Sequence, residues 1–506
     1  MKLKHIPAIA IMAIAFASCT NDDDSATTEV PEVVNVNFQH ISTLNPGGAT
    51  EISAFDPVTK KLFTINPDAN QVMVFDLSDP SAPIQNTAID VSANGTPNSV
   101  SVNNKLLAVA VEASNKQQNG HVLVYNTEDE TLVNNFTVGA LPDMVLFSPD
   151  GKYLVTADEG EPSSDYLTDP KGSVSIIEVT SGNVMTLTFD DFSAQESTLK
   201  DGGFRVFGPG ATLAQDIEPE YVAISEDSKT AWITLQENNG IAKVNLETKK
   251  IEAIYPLGFK DHMLAQNMLD TSNKDDETVL KNWPVYGVFM PDAIKYAKVD
   301  GLDYIITANE GDSRDYDGFS EEERVKDLEL DPIAFPDAAS LQEDENLGRL
   351  KITTTLGDTD NDGDYDELYS YGARSFSIWS GDGVLVYDSG SDISEKVLAY
   401  TPGSFNADEG EVDGRSDDKG AEPEAVETVL IGERTILFVG LERNSQIMVY
   451  DISNPSAPEF IQFLEQSGDM APEGVLAISA DDSPSEKELL VVTNEGSGTI
   501  SIYENE

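Results

Sequence analysis

The sequence contains very little cysteine and histidine. One cysteine, Cys19, and four histidines occur among 506 residues. A single cysteine cannot form a disulfide within the chain. No metal site with sulfur and nitrogen ligands can be assembled from so few residues, since the histidines are only His5, His40, His121 and His262. We therefore expect any bound metal to have oxygen ligands. Such ligands favour Ca²⁺, with Mg²⁺ as the alternative.

Basic residues are also scarce. The chain has 31 Lys and Arg against 90 Asp and Glu, which gives a formal net charge of −59. Proteins bind nucleic acids and anionic lipid surfaces largely through Lys and Arg, so this charge excludes nucleic acid as a partner. The carboxylates must instead be separated, protonated or neutralised by cations.

Apolar runs long enough to span a bilayer are absent, and the most apolar segment lies at the N-terminus. Basic residues precede an apolar stretch at residues 6–17, and Ala17-Ser18-Cys19 follows it. This order predicts a lipoprotein signal peptide over residues 1–18 with lipidation at Cys19, and an acidic flexible tether over 19–33. We expect the protein at the outer membrane or cell surface, with membrane contact only through this lipid. The alternative is an ordinary secretory signal.

A structural unit recurs seven times after the tether. Each copy opens with a turn residue beside an acidic or amide side chain, continues with two short apolar strands, and carries Glu after the second strand. Four stretches interrupt the pattern (190–216, 259–290, 312–372 and 403–421), and the rest averages about 45 residues per copy, the length of a propeller blade. The third strands are predicted at residues 72–75, 122–125, 174–177, 241–244, 384–387, 447–450 and 500–503.

This repetition predicts an all-β fold, a seven-bladed β-propeller over residues 34–506 with long loop insertions on one face. The last copy ends at Glu506 after its third strand. We expect Val36-Asn37-Phe38 to supply the missing fourth strand and close the ring, because closure removes an exposed sheet edge.

Acidic residues recur at fixed positions of the unit. In an antiparallel sheet the first strand starts at the edge where the second strand ends, so the Pro-acid pairs and the terminal glutamates share one face. We expect metal ligands at this acidic mouth. The alternative is that these acids only cap turns. The predicted ligands are Glu159, Glu220, Glu237, Glu310, Glu424, Glu473 and Glu495.

Alternating aspartates mark a second candidate metal site at residues 357–367, here called the aspartate loop. Gly363 at the sixth position permits the tight turn of a calcium loop. Position twelve is Tyr369 rather than Glu, so an ordinary EF-hand is not expected. The alternative is a solvated acidic turn. The predicted Ca²⁺ ligands are Asp358, Asp360, Asp362, Asp364 and Asp366.

Three basic residues stand out within acidic stretches near the mouth. Arg314, Arg415 and Lys419 lie in the insertions at 312–372 and 403–421. A cation together with Arg or Lys can bind a phosphoryl group, so we expect these side chains to clamp phosphate during catalysis. The alternative is that each base neutralises neighbouring carboxylates.

Several short motifs recur in one known family of proteins. They are DIEPEY (216–221), LQENN (235–239), NWPVY (282–286), ANEGD (308–312), SDDKG (416–420) and APEG (471–474), together with the aspartate loop. With these motifs the chain resembles the choice-of-anchor I domain family from about residue 35 to the end, and the resemblance implies a calcium-binding extracellular propeller. Relatives in that family include mesenchyme-specific cell-surface glycoproteins and bacterial proteins labelled alkaline phosphatase.

Two hypotheses about function follow. In the first, the protein is a metal-dependent phosphoesterase that uses metal-bound water on a phosphorylated small molecule. In the second, it is a non-enzymatic, calcium-dependent binding or adhesion protein for a surface ligand. The sequence does not indicate an oligomeric state.

Overall fold

The computed structural model describes residues 35–408 and 410–506. The predicted signal peptide (1–18), the lipidation site Cys19 and the tether (19–33) lie outside the described residues. The first strand, β1 (Phe38–Leu44), pairs with the last strand of the chain.

Seven four-stranded antiparallel sheets account for most of the described strands. Sheets 1 to 3 contain β2 (Ser53–Asp56), β3 (Lys61–Asn66), β4 (Gln71–Asp76) and β5 (Ile84–Asp90); β6 (Thr96–Asn103), β7 (Leu106–Glu112), β8 (Asn119–Asn126) and β9 (Leu132–Ala140); and β10 (Pro142–Phe147), β11 (Tyr153–Asp158), β12 (Ser173–Glu178) and β13 (Asn183–Thr188).

The remaining four sheets follow the same up-and-down order. Sheets 4 to 7 contain β14 (Pro219–Ile224), β15 (Thr230–Leu235), β16 (Gly240–Asn245) and β17 (Lys250–Pro256); β20 (Ile294–Val299), β21 (Leu302–Asn309), β27 (Ser375–Ser380) and β28 (Leu385–Asp388); β29 (Pro423–Ile431), β30 (Arg434–Leu441), β31 (Gln446–Asp451) and β32 (Glu459–Leu464); and β33 (Pro472–Ile478), β34 (Leu489–Asn494), β35 (Thr499–Asn505) and β1.

The sheets are arranged around a common centre. The first strands of successive sheets contact one another, and β33 of sheet 7 contacts β2 of sheet 1. Apolar clusters fill the space between neighbours, and Leu62 and Phe75 of sheet 1 pack with Leu489 and Ile502 of sheet 7. The burial of such side chains between sheets drives this packing. The predicted all-β propeller fold is confirmed.

The N-terminal strand completes sheet 7. β1 runs antiparallel to β35, with Phe38 opposite Asn505. The Phe38 ring is buried and packs edge-to-face on Phe438 of sheet 6, with ring centroids 5.1 Å apart. The segment predicted to supply this strand, residues 36–38, overlaps it only at Phe38, where the strand begins.

One strand prediction was wrong. In sheet 5 the third strand is β27, whereas residues 384–387, predicted as the third strand, fall largely in the fourth strand, β28. β27 contains buried serines that resemble a polar loop in the sequence. Their hydroxyls are satisfied in the fold, because Ser375 and Ser377 donate hydrogen bonds to Asp388 Oδ2 at 2.7 and 2.8 Å.

The insertions form structure of their own. Parts of the 259–290 and 312–372 insertions build a five-stranded sheet, in the order β18-β19-β26-β25-β24. Val285, Leu347 and Ile352 belong to its separate apolar core. The strands outside the seven sheets are β18 (Phe259–Asp261), β19 (Tyr286–Val288), β22 (Asp315–Tyr316), β23 (Phe319–Ser320), β24 (Glu322–Arg324), β25 (Lys351–Thr353) and β26 (Tyr369–Ser370).

The helices are short and lie between strands. None of those in the described ranges combines the length and apolar character needed to cross a bilayer. They are α1 (Glu196–Asp201), α2 (Leu213–Asp216), α3 (Ala338–Leu341) and α4 (Asp392–Tyr400), with 3₁₀ turns at Pro67–Ala69, Asp190–Gln195, Val325–Asp327 and Pro402–Ser404.

Candidate metal centre at the acidic mouth

A cavity of about 320 Å³ lies where the first strands begin and the second strands end. We call it the axial cavity. Its walls include carboxylates from five of the seven sheets, so acids that are far apart in the sequence meet around one opening, as the strand geometry predicts. The lining carboxylates are Glu51, Glu112, Asp143, Glu159, Asp292 and Glu473.

A repeated β-bulge positions the acids of the first strands. In sheet 3 the pairing skips from Pro142 to Met144, so Asp143 is the extra, unpaired residue. Proline lacks the N–H that a regular ladder requires, and a bulge turns the extra residue out of the alternation. The same shift after proline occurs in sheets 2, 4, 6 and 7, where it involves Asn98, Glu220, Glu424 and Glu473.

Three carboxylates converge on one side of the mouth. Oxygen atoms of Asp143, Glu159 and Glu220 all lie within 4.8 Å of one another, and we call this group the mouth triad. Within residues 35–408 and 410–506, the structure gives these carboxylates no hydrogen bond or ion pair. Calcium binds oxygen at 2.3–2.6 Å, so ligands across one ion are separated by about this distance.

The mouth triad is electrostatically unfavourable without a cation. Burial, followed by repulsion from Glu112, raises the pKa of Asp143 to about 7. Burial and neighbouring carboxylates also raise the pKa values of Glu159 and Glu220 well above the usual range. Glu237 repels Glu159 and Glu220, is only 7% exposed, and its Oε2 atom has no hydrogen-bond partner. A bound cation would relieve this repulsion.

A second acidic group is already neutralised by the protein. Glu310, Glu422 and Glu442 also offer oxygens within 4.8 Å of one another, and we call them the paired cluster. Lys419 Nζ lies 2.7 Å from Glu310 Oε1 and 3.3 Å from Glu422 Oε2. Arg443 Nε lies 3.1 Å from Glu422 Oε2. The ammonium group of Lys419 therefore already neutralises these carboxylates, and a metal ion would have to compete with it.

All three predicted phosphate clamps are engaged by carboxylates. Arg314 is buried, and its guanidinium contacts Asp216 Oδ1 at 2.7 Å and Glu218 Oε2 at 2.9 Å. Arg415 pairs with Glu422, and Lys419 pairs with the paired cluster. These contacts match the alternative in which each base neutralises neighbouring acids, and they leave the clamp role without geometric support.

The other predicted mouth ligands occupy different surroundings. Glu310 belongs to the paired cluster, and Glu237 is a buried carboxylate that repels Glu220 of the mouth triad. Burial and neighbouring acids raise the pKa of Glu424 and of Glu473 well above the usual range, and Glu424 Oε2 is buried without a partner. Glu495 is exposed.

The aspartate loop brings several of its predicted ligands together. Oxygens of Asp358, Asp360 and Asp366 lie within 4.8 Å of one another, and Asp364 and Asp366 form a similar group with Asp331. Asp362 is in neither group and accepts a hydrogen bond from the backbone N–H of Asp364 at 3.2 Å. Gly363 adopts a φ of 100°, as the tight turn requires.

Two residues of the site were not among the predicted ligands. Asp143 stands at a Pro-acid position, so the repeat itself contains the signal that could have identified it. Lys116 follows Glu112 by four residues and lines the axial cavity. No motif marks it, and only the fold places it beside the mouth triad.

The raised pKa values predict how the metal-free protein responds to pH. Unfolding returns Asp143 and Glu51, whose folded-state pKa values are about 7 and about 8, to ordinary values of about 4. Between about pH 4 and about pH 8 the folded state therefore retains protons that the unfolded state has lost, so stability falls as pH rises through this window. In chelator the melting temperature should fall across this pH window. Ca²⁺ should raise the melting temperature most at the alkaline end of the window.

The matched variant for this measurement is Asp143→Asn, which removes one of the titrating groups. In chelator the melting temperature of this variant should depend less on pH than that of the wild type. A melting temperature that rises between about pH 5 and about pH 8 without metal would contradict the assignment.

Substitution of Lys419 distinguishes a counterion from a phosphate clamp. Lys419→Met would leave buried carboxylates without their cation, and breaking a buried ion pair in this way costs about 3–5 kcal/mol. We expect a comparable loss in the free energy of unfolding, measured by denaturant titration. Lys105→Met, which breaks an exposed pair with Glu128, is the control and should change little. Unchanged stability of Lys419→Met would contradict the counterion role.

Comparison with known proteins identifies the family. The model of the choice-of-anchor I domain matches residues 51–455. Gigasin-3a of Magallana gigas is 32% identical over 189 residues, which cover 32% of this chain and 66% of that protein. The mesenchyme-specific cell surface glycoprotein of Strongylocentrotus purpuratus is 24% identical over 330 residues, or 58% of this chain and 41% of that one. The match thus leaves a third or more of each relative uncovered.

Similar solved structures include Kuenenia stuttgartiensis hydrazine synthase, with a TM-score of 0.49, 12% identity and coverage of 92% of this chain and 97% of that one. The β-propeller domain of Myceliophteria thermophila Cps50 (Swd1) gives a TM-score of 0.46, 8% identity and coverage of 92% and 99%. The family match extends over most of the seven sheets and the insertions between them. The chain therefore belongs to the choice-of-anchor I domain family.

Proposed function

We propose that this protein is a surface-associated β-propeller that binds Ca²⁺ at the mouth triad and holds an external ligand through that ion. The observation that carries the proposal is the triad itself. Its three carboxylates offer oxygens within 4.8 Å of one another, and no protein cation pairs with them among the described residues. Because unpaired carboxylates in a buried site repel one another, such a group has a strong affinity for a hard cation.

The surface location is supported by the family and by one relative. The chain belongs to the choice-of-anchor I domain family, and a relative is named as a mesenchyme-specific cell surface glycoprotein. We further propose that a lipid on Cys19 anchors the chain at the outer membrane or cell surface. This part of the proposal concerns residues outside the described ranges and rests on the sequence alone.

The chemistry of the donors supports Ca²⁺ over other metals. The mouth triad offers only carboxylate oxygens, and histidine and cysteine do not line the axial cavity in the described chain. Calcium accepts irregular arrangements of six to eight oxygens, whereas Mg²⁺ requires near-octahedral geometry and retains water. The remaining ligands would come from neighbouring carboxylates and solvent.

We propose a second Ca²⁺ site in the aspartate loop, with a structural role. Its ligands would be drawn from Asp358, Asp360, Asp364 and Asp366, with Asp331 nearby. The β-bridge between Leu330 and Tyr365 joins this loop to the segment that carries Asp331. An ion here would therefore fasten two parts of the 312–372 insertion together.

The two proposed sites can be separated by substitution. Glu220→Gln should remove the ion of the mouth triad, and Asp358→Asn should remove the ion of the aspartate loop, each without affecting the other site. The number of Ca²⁺ ions bound per chain, measured by calorimetry and by metal analysis after dialysis, should fall by one in each variant. Glu128→Gln, an exposed surface change, is the control. An unchanged ion count in Glu220→Gln would refute the mouth site.

The second candidate function is a metal-dependent phosphoesterase acting on a phosphorylated small molecule. The observation that favours it is Lys116, a basic side chain that lines the same cavity as Asp143 and Glu159. A divalent cation polarises phosphoryl oxygens when it is bound. Arg314, Arg415 and Lys419 are already paired with carboxylates, so Lys116 would have to bind the substrate in their place.

Turnover distinguishes the two candidates. If the protein is a phosphoesterase, it should release product from a chromogenic phosphomonoester or diester in Ca²⁺, and chelator or Glu220→Gln should reduce the rate by at least about a hundredfold. Asp358→Asn should retain turnover, because its site is distinct. Absence of turnover at every pH, with Ca²⁺ binding intact, would remove the enzyme hypothesis and leave the binding function.

A further inference from the structure

Lys116 differs from the other basic residues near the mouth. It lies between β7 and β8, and its side chain is 52% exposed. Its Nζ atom is 3.4 Å from Glu161 Oε2 and 3.9 Å from Glu112 Oε2, so neither contact is a short ion pair. Lys419, in contrast, is 9% exposed and lies within 3.3 Å of three carboxylates. Lys116 is therefore held less tightly by its carboxylate partners than Lys419.

Lys116 also lies close to the mouth triad. It lines the axial cavity together with Asp143 and Glu159, and it is the single basic side chain in the described part of that lining. Burial alone would lower the pKa of Lys116. The carboxylates of Glu161, Glu112 and Glu159 raise this pKa by more than burial lowers it, so the side chain remains protonated at neutral pH. A permanent positive charge thus shares the cavity with the proposed cation.

Two positive charges in one cavity repel each other unless an anion lies between them. Lys116 therefore weakens cation binding at the mouth triad when no other ligand is present. An oxyanion that contacts both the bound ion and the ammonium reverses this effect, because it is attracted by both. A tetrahedral oxyanion suits this role well, since its several oxygens point in different directions.

We infer that the axial cavity binds the phosphate group of a small ligand between a cation held by the mouth triad and Lys116. The inference rests on the proposed function, since it requires the cation. Beyond the triad, Glu237 adds to the negative charge at the site: its side chain is nine-tenths buried, it repels Glu159 and Glu220, and its Oε2 atom has no partner. The volume of about 320 Å³ is at the lower end for ligand pockets, which indicates a small ligand.

The test measures how Ca²⁺ and a phosphate analogue affect each other's binding. The probe is phenylphosphonate, which an esterase cannot cleave, and the method is isothermal titration calorimetry on the wild-type chain. Each ligand should tighten the binding of the other by the same factor, at least about fivefold. Acetate serves as a comparison for a simple carboxylate and should produce a smaller effect.

Lys116→Met provides the decisive comparison. Without phenylphosphonate this variant should bind Ca²⁺ more tightly than wild type, because the repulsive charge is gone. It should also lose most of the coupling between the two ligands. Lys116→Arg should retain the coupling, and Lys105→Met, an exposed lysine outside the cavity, should behave as wild type. Because Lys116 is half exposed and its two ion pairs are long, its substitution should lower the melting temperature only slightly.

The outcomes separate this inference from the proposed function. If wild type and Glu220→Gln bind the same number of Ca²⁺ ions, the proposed metal site fails. If Ca²⁺ binding depends on Glu220 but phenylphosphonate does not affect it, the anion site fails while the metal site stands. Coupling that persists in Lys116→Met would likewise overturn the role of Lys116, and acetate coupling equal to that of phenylphosphonate would overturn the assignment to phosphate.

Discussion

Repulsion among carboxylates brought together around one cavity is the constraint on which the rest of this structure depends. The two acidic groups at the mouth differ in how this repulsion is reduced. At the paired cluster, Lys419 and Arg443 neutralise Glu310 and Glu422 from within the protein. Within the described ranges no Lys or Arg forms an ion pair with the mouth triad, and burial together with neighbouring carboxylates raises the pKa values of its carboxyls. Similar residues in similar strand positions thus acquire different chemistry, because Lys419 and Arg443 form ion pairs with the paired cluster and not with the mouth triad.

The fold could be predicted from the sequence because the repeated unit depends on local patterns. Apolar alternation marks most third strands, and the Pro-acid pair marks where most first strands begin. Sheet 5 is the exception, since β27 fills buried positions with serines that Asp388 satisfies through hydrogen bonds. The five-stranded sheet of the insertions was also not predicted. Its strands are two or three residues long and pair across distant segments, such as β19 with β26, so they leave no periodicity in the sequence.

The site could be predicted only to the level of a face. Strand direction alone places the acids at one mouth, and the bulge after proline explains why alternation does not turn them away. Sequence does not reveal which acids find a basic partner. Arg314 meets Asp216 and Glu218 across about a hundred residues, and Lys419 meets Glu310 across a similar separation. These pairings depend on how the insertions fold, and they determine which carboxylates remain available to a metal.

The scarcity of basic residues gives these pairings a wider consequence. Arg205 and Arg314 attach the 312–372 insertion to the 190–216 insertion and to Glu218, which precedes β14. Lys419 attaches the 403–421 insertion to Glu310, which follows β21. Bases engaged in holding the insertions are not available to bind an external anion. A strongly acidic surface can then bind an anionic ligand only through a cation taken from solution and the few basic groups left free. This composition therefore favours the metal-dependent ligand binding proposed above, and Lys116 is important as the single basic side chain in the described lining of the axial cavity.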